Sequence, residues 1–72
     1  MELNWKDGFT IRVTAEKGEV LVSANKEGLL SLAGQLTALA EAAAASHIHL
    51  DEYNSLEEGS VGLIIERKDQ WP

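Results

Sequence analysis

Residues 9–24, FTIRVTAEKGEVLVSA, constrain the architecture of this chain more than any other stretch. Phe9, Ile11, Val13 and Ala15 alternate with Thr10, Arg12 and Thr14, which is the period of a half-buried strand. Lys17-Gly18 then suits a two-residue hairpin loop with glycine in the second position, and EVLVSA returns from Glu19 to Ala24. With that tip, Ala15 opposes Val20, Val13 opposes Val22 and Ile11 opposes Ala24. All six fall on one face, so turn chemistry and hydrophobic pattern agree on the register. A lone hairpin is marginal in water, and its apolar face needs a cover.

The cover is the segment that follows. Asn25 is a good helix N-cap and Glu27 suits the positive end of a helix. In KEGLLSLAGQLTALAEAAAA, the residues Leu29, Leu32, Ala33, Leu36, Leu39, Ala40 and Ala43 recur at three- and four-residue steps and form a broad apolar stripe. Gly28 and Gly34 each weaken the helix by up to about 1 kcal/mol relative to alanine, and close approach to the sheet is a reason for glycine at 34. An 18-residue helix runs about 27 Å, longer than a five-residue strand, so it crosses the sheet diagonally. Residues 47–51, HIHLD, predict a strand with Ile48 and Leu50 inward. DEYNSLEEGS reads as a loop, and residues 61–66, VGLIIE, as a last strand with Val61, Leu63 and Ile65 inward. The tail RKDQWP reads as frayed. The expected fold is α+β with order β-β-α-β-β: a four-stranded, mainly antiparallel sheet with one helix packed on one face. At 72 residues the chain reads as one domain, residues 1–72, with an ordered core of about 8–67.

A domain of this size buries only about 60% of its unfolded surface, and no cysteine is present to reinforce it. The start, MELNWKDGF, has no apolar core of secretory type, and no apolar run approaches the roughly 20 residues that span a bilayer. A cytoplasmic location is the expectation. The formal charge is -6 and it is unevenly spread. Between Lys26 and Arg67 there is no Lys or Arg, while Glu27, Glu41, Asp51, Glu52, Glu57, Glu58 and Glu66 all lie there. Such a field repels nucleic acid and anionic lipid and attracts a basic protein. It also keeps a small domain soluble, with no partner implied.

The stretch SHIHLDEY, residues 46–53, carries the chain's two histidines. His47, His49 and Asp51 share one side of a strand. They fall on the sheet face left uncovered by the helix, with Thr10, Arg12, Thr14, Leu21, Ser23, Gly62, Ile64 and Glu66. His47 and His49 can chelate zinc, with Asp51 or Glu66 as a third ligand, but any two polar strand residues two apart share a face. A histidine beside a carboxylate can act as a general base. A flat face offers no water-free pocket, however, and Ser46, Ser55 and Ser60 lie outside any nucleophile elbow. The third use is docking: of a partner, or of a second copy through the open face or an edge strand. Its alternative is a solvated face of cross-strand polar pairs. In the loop, Tyr53 and Leu56 are either interface anchors or a lid on the core. Trp5 and Trp71, near the two ends, are each placed to pack over an exposed edge.

Three pieces in order, SANKEGLLSLAGQLTALAE, HIHLD and LEEGSVGLIIER, resemble immunity protein family 32, small predicted immunity proteins of bacterial polymorphic toxin systems. The resemblance covers roughly residues 20–67. Its distinctive residues are Asn25, Glu27, Gly28, Leu29 and Leu30, then His47, His49, Leu50 and Asp51, then Glu58, Gly59 and Ser60. It implies an α+β fold, no catalytic residues, no cofactor, and a role in neutralising a toxin. Together with the charge pattern, the expectation is a non-catalytic protein that binds a protein partner, such as a basic toxin domain. His47, His49, Asp51, Glu52, Glu57 and Glu58 are the predicted contact residues, no nucleic acid or membrane is involved, and the state is monomer or homodimer. The alternative is a small metal-binding domain, with His47, His49 and Asp51 as ligands, or a homodimeric structural domain using the His-x-His strand.

Overall fold

The structure is a computed structural model that describes residues 4–71. The elements are β1 (Ile11–Glu16), β2 (Glu19–Ala24), α1 (Lys26–Glu41), β3 (His47–Leu50) and β4 (Leu63–Glu66). The α+β class and the order β-β-α-β-β are as the sequence predicts. So is the first register: Ala15 pairs with Val20, Val13 with Val22 and Ile11 with Ala24. Lys17 and Gly18 have φ of 53° and 78°, the double positive φ of a tight hairpin turn, which is tolerable because glycine takes the second position.

The expected single four-stranded sheet does not form. β1 pairs only with β2, and β3 only with β4, giving two antiparallel two-stranded sheets. The break lies in residues 57–61, which run along the second edge of β1. The Glu57 N–H donates to the Ile11 carbonyl at 2.8 Å and the Val61 N–H to the Val13 carbonyl at 2.9 Å. Four residues are thus spent against two on β1. In between, Gly59 has φ of 89°, and the Val13 N–H donates to the Ser60 hydroxyl instead of to a backbone carbonyl. That excess bulges the segment away from strand geometry. The last strand therefore begins at Leu63, and Val61, expected to point inward, is 42% exposed.

The core forms where β1 meets this segment. Ile11, Val13, Leu50 and Leu56 are its buried centre, with Trp5, Phe9, Ala24, Leu32 and Leu63 packed around it. Trp5 stacks on Phe9 at 4.8 Å between ring centroids, whereas Trp71 lies exposed with the Lys68 ammonium 4.9 Å from its ring centroid.

The helix is rotated from its expected setting. Its buried residues are Gly28, Ser31, Gln35 and Leu39, while Leu29, Leu30 and Leu36 are exposed. Leucines and alanines occur nearly all round this helix, so their spacing does not fix its rotation. Polar partners do. The Lys6 N–H donates to the Ser31 hydroxyl at 2.8 Å, and the Gln35 side-chain amide donates to the Asn4 carbonyl at 2.7 Å. Two polar side chains are thereby buried without an orphaned group, and the N-terminal segment, rather than the sheet, covers this stretch of helix. Nor does Gly34 approach the sheet: a Cβ there would meet nothing within 4 Å. Gly28 is the close approach, where a Cβ would collide with the Thr10 carbonyl oxygen.

The tail is not frayed at Arg67. The Arg67 N–H donates to the Ser46 carbonyl and its own carbonyl accepts from the Ala45 N–H, so Ala45, at φ of 70°, and Ser46 oppose Arg67 as a bulge at the end of the β3–β4 ladder. Its guanidinium donates to the Ala42 carbonyl and to both oxygens of Asp69. The last turn of α1 holds no basic residue, so a cation from the tail faces the negative end of the helix dipole. No helix among the described residues is long and apolar enough to cross a membrane.

Two substitution pairs check this packing. Gly28→Ala is expected to destabilise by about 1–3 kcal/mol, because backbone must move, and Gly34→Ala to stabilise by up to about 1 kcal/mol. Leu39→Ala is expected to cost about 2–5 kcal/mol and Leu36→Ala about 0.5 kcal/mol or less. Urea unfolding of the four variants measures all of these.

Candidate functional site

β3 alternates as its sequence predicts. Ile48 and Leu50 are buried, and His47 and His49 face out. Across the ladder His47 pairs with Glu66 and His49 with Ile64, and Ile64 is 63% exposed. The surface beside the imidazoles is therefore mixed: one acid, one bare aliphatic chain, and the flat patch left by Gly62, where a Cβ would lie 3.6 Å from His49 Nε2. His49 Nε2 is 3.9 Å from Asp51 Oδ2, a loose contact on an exposed edge.

The loop that follows is tightly organised. One carboxylate oxygen of Asp51 accepts from the Tyr53 and Asn54 N–H groups at 2.9 and 3.1 Å. The Asp51 carbonyl accepts from the N–H groups of Asn54, Ser55 and Leu56. Asn54 closes the figure, its Oδ1 accepting from the Asp51 N–H and its side-chain amide donating to the His49 carbonyl. An aspartate three residues before an asparagine folds its own backbone in this way. Leu56 is thereby swung into the core, 5% exposed, and Tyr53 is left outside at 91%. Leu56 thus closes the core, as one of the two readings of this pair had it, and Tyr53 does not.

Further on, the Glu52 carboxylate accepts from the Gly59 N–H at 2.9 Å, and Arg12 Nη1 donates to the Glu58 carbonyl at 3.1 Å. The loop is thus tied to itself at one point and to β1 at another. Among the described residues the Glu57 and Glu58 carboxylates accept no hydrogen bond and join no ion pair. Glu52 and Glu58 flank Tyr53 around a shallow open depression. Glu57 lines a different hollow, beside Thr10, Arg12 and Ser23.

The six residues singled out by sequence therefore do not form one cluster. His49 and Asp51 are adjacent, Glu52 and Glu58 frame Tyr53, Glu57 lies towards β1, and His47 neighbours Glu66. Among the described residues no group of three or more His, Asp or Glu side chains lies close enough to hold a metal ion. Ser55 and Ser60 are occupied structurally, the first donating to Asn54 Oδ1 and the second accepting from the Val13 N–H. Sequence reasoning missed Asn54 and Arg12 as loop braces. The Asp51-x-x-Asn54 spacing signals the first. Nothing local signals the second, which acts across 46 residues.

Asp51→Ala is expected to loosen this loop and destabilise the chain by about 1–2 kcal/mol. Asp51→Asn keeps the acceptor oxygen and is expected to cost about 0.5 kcal/mol or less. Urea unfolding separates the two.

A family model described as "Immunity protein 32" matches residues 19–68, from the start of β2 to just past β4. No curated protein and no solved structure matches the chain.

Proposed function

The chain belongs to the Immunity protein 32 family, and from that premise we propose that it is a single-domain, non-catalytic protein that neutralises a toxin of a bacterial polymorphic toxin system by stoichiometric association in the cytoplasm. The observation that carries this reading is the braced acidic loop after β3. It holds Asp51, Glu52, Glu57 and Glu58 in a fixed frame through backbone and side-chain hydrogen bonds, and sets the bare ring of Tyr53 between Glu52 and Glu58. A loop already ordered loses little conformational freedom on binding. An exposed tyrosine is a common anchor at the centre of an interface. Surrounding carboxylates steer a basic surface toward it.

His47 and His49 lie at the margin of this surface, with Ile64 offering an apolar contact beside them. A toxin that itself grips nucleic acid presents the matching basic cleft. The protein then acts by occupying that cleft, for which it needs rigidity and charge and no reactive group.

The test is titration of the chain against the toxin module encoded beside its gene, at low and high salt. The quadruple variant Asp51→Asn, Glu52→Gln, Glu57→Gln, Glu58→Gln keeps the acceptor oxygens that fold the loop and removes four charges. It is expected to slow association by about tenfold or more and to flatten the salt dependence. Unchanged affinity and salt dependence would show that the toxin meets another surface.

A further inference from the structure

β2 has one partner and two edges. Among the described residues, Glu19–Ala24 make no backbone hydrogen bond outside the pairing with β1. In an antiparallel pair the N–H and C=O of every second residue turn away from the partner, so the outer edge of β2 is an open template. Its side chains are bare as well. Val20 and Val22 share the face on which Ile11 and Val13 are buried, yet they are 61% and 37% exposed, and Leu21 on the opposite face is 62% exposed. Proteins usually blunt such an edge with a bulge, a proline or a charge within the strand. Here the pairing with β1 runs without a bulge, and the only charge in the strand is Glu19 at its end.

The surface area points the same way. The chain exposes 5219 Å², whereas a compact monomer of its 7.8 kDa mass exposes about 4,400 Å². The excess of about 800 Å² is summed over the whole surface, and the bare side chains of β2 contribute to it. The radius of gyration of 12.7 Å likewise exceeds the roughly 11 Å expected for this length.

We propose that β2 is a self-association edge: two copies pair β2 against β2, antiparallel about a two-fold axis at Val22, to make a continuous four-stranded sheet. In that register Val22 meets Val22 of the second copy, Val20 meets Ala24 and Leu21 meets Ser23. Apolar residues stay on their own faces. Charge selects a second copy over the basic partner proposed above. From Lys6 to Lys26 the chain carries Lys6, Arg12, Lys17 and Lys26 against Asp7, Glu16 and Glu19. That stretch is nearly neutral, so two acidic chains can meet there with little repulsion, and a basic protein gains little from it. The acidic loops are left free, so the dimer does not depend on the toxin reading.

Sedimentation velocity of the full chain over a roughly hundredfold concentration range tests this. A dimer that dissociates on dilution is expected, and a 7.8 kDa species at every concentration overturns the proposal. Val20→Lys and Leu21→Lys alter side chains that are already exposed, so each is expected to keep its circular dichroism spectrum while weakening the dimer at least about tenfold. Leu36→Lys, on the exposed side of α1, is the control and is expected to leave the dimer intact. Loss of the dimer in Leu36→Lys but not in Leu21→Lys would place the interface on the helix and overturn the proposal. The quadruple amide variant should dimerise as the parent does. A dimer with no toxin binding, or the reverse, separates the two readings.

Discussion

β1 is gripped along both edges, and nearly every other feature of the fold follows from that. On one side it has the regular ladder to β2. On the other, residues 57–61 hang from the carbonyls of Ile11 and Val13, and Ser60 accepts the Val13 N–H. Val13 is completely buried as a result, and Ile11 nearly so. The core is assembled where this grip brings Leu56 and Leu50 against the two. Because 57–61 meets β1 with two residues too many, the sheet cannot continue through it, and β3 and β4 pair separately. The irregular segment is also what turns the acidic loop outward, since its two ends, at Leu50 and at Val61, are both fixed in or beside the core.

That arrangement sets how the loop can serve a partner. Its charge is concentrated and its backbone is already satisfied, by Asp51 and Asn54 at one end and by Glu52 and Arg12 at the other. Asp51 and Glu52 therefore do two jobs, shaping the loop with some of their oxygens and adding charge to its surface. Glu57 and Glu58 have only the second. The division matters for reading mutational data, because an alanine at 51 changes shape and charge together, while an amide changes charge alone.

Local signals in the chain proved legible where short-range geometry decides the outcome. The β1–β2 register followed from a two-residue turn and a period of two. The outward histidines followed from the parity of His47, Ile48, His49 and Leu50, and the cap followed from Asn25. The rotation of α1 was not legible, because Leu29, Leu30, Leu32, Leu36 and Leu39 offer several comparable stripes. The choice among them was made by Lys6 and Asn4, more than 20 residues away. The broken sheet was hidden for a similar reason. VGLIIE alternates as a strand should, and only the docking of Ser60 and Val61 on β1 shows that its first residue is used elsewhere. At the site, Tyr53 and Leu56 looked alike in a polar loop, and the Asp51 turn separated their fates.

Asn25 joins two parts of the molecule at one residue. Its Oδ1 accepts from the N–H groups of both Gly28 and Thr10, its side-chain amide donates to the Gly8 carbonyl, and its own N–H donates to the Thr10 carbonyl. The cap that starts α1 is therefore built partly from the residues that lead into β1. A helix carrying two glycines nucleates poorly by itself, and here its first turn is completed only once the chain has doubled back through the hairpin. Hairpin and helix consequently order as one cooperative unit, with the strand written first in the chain serving as the mould on which the helix is cast.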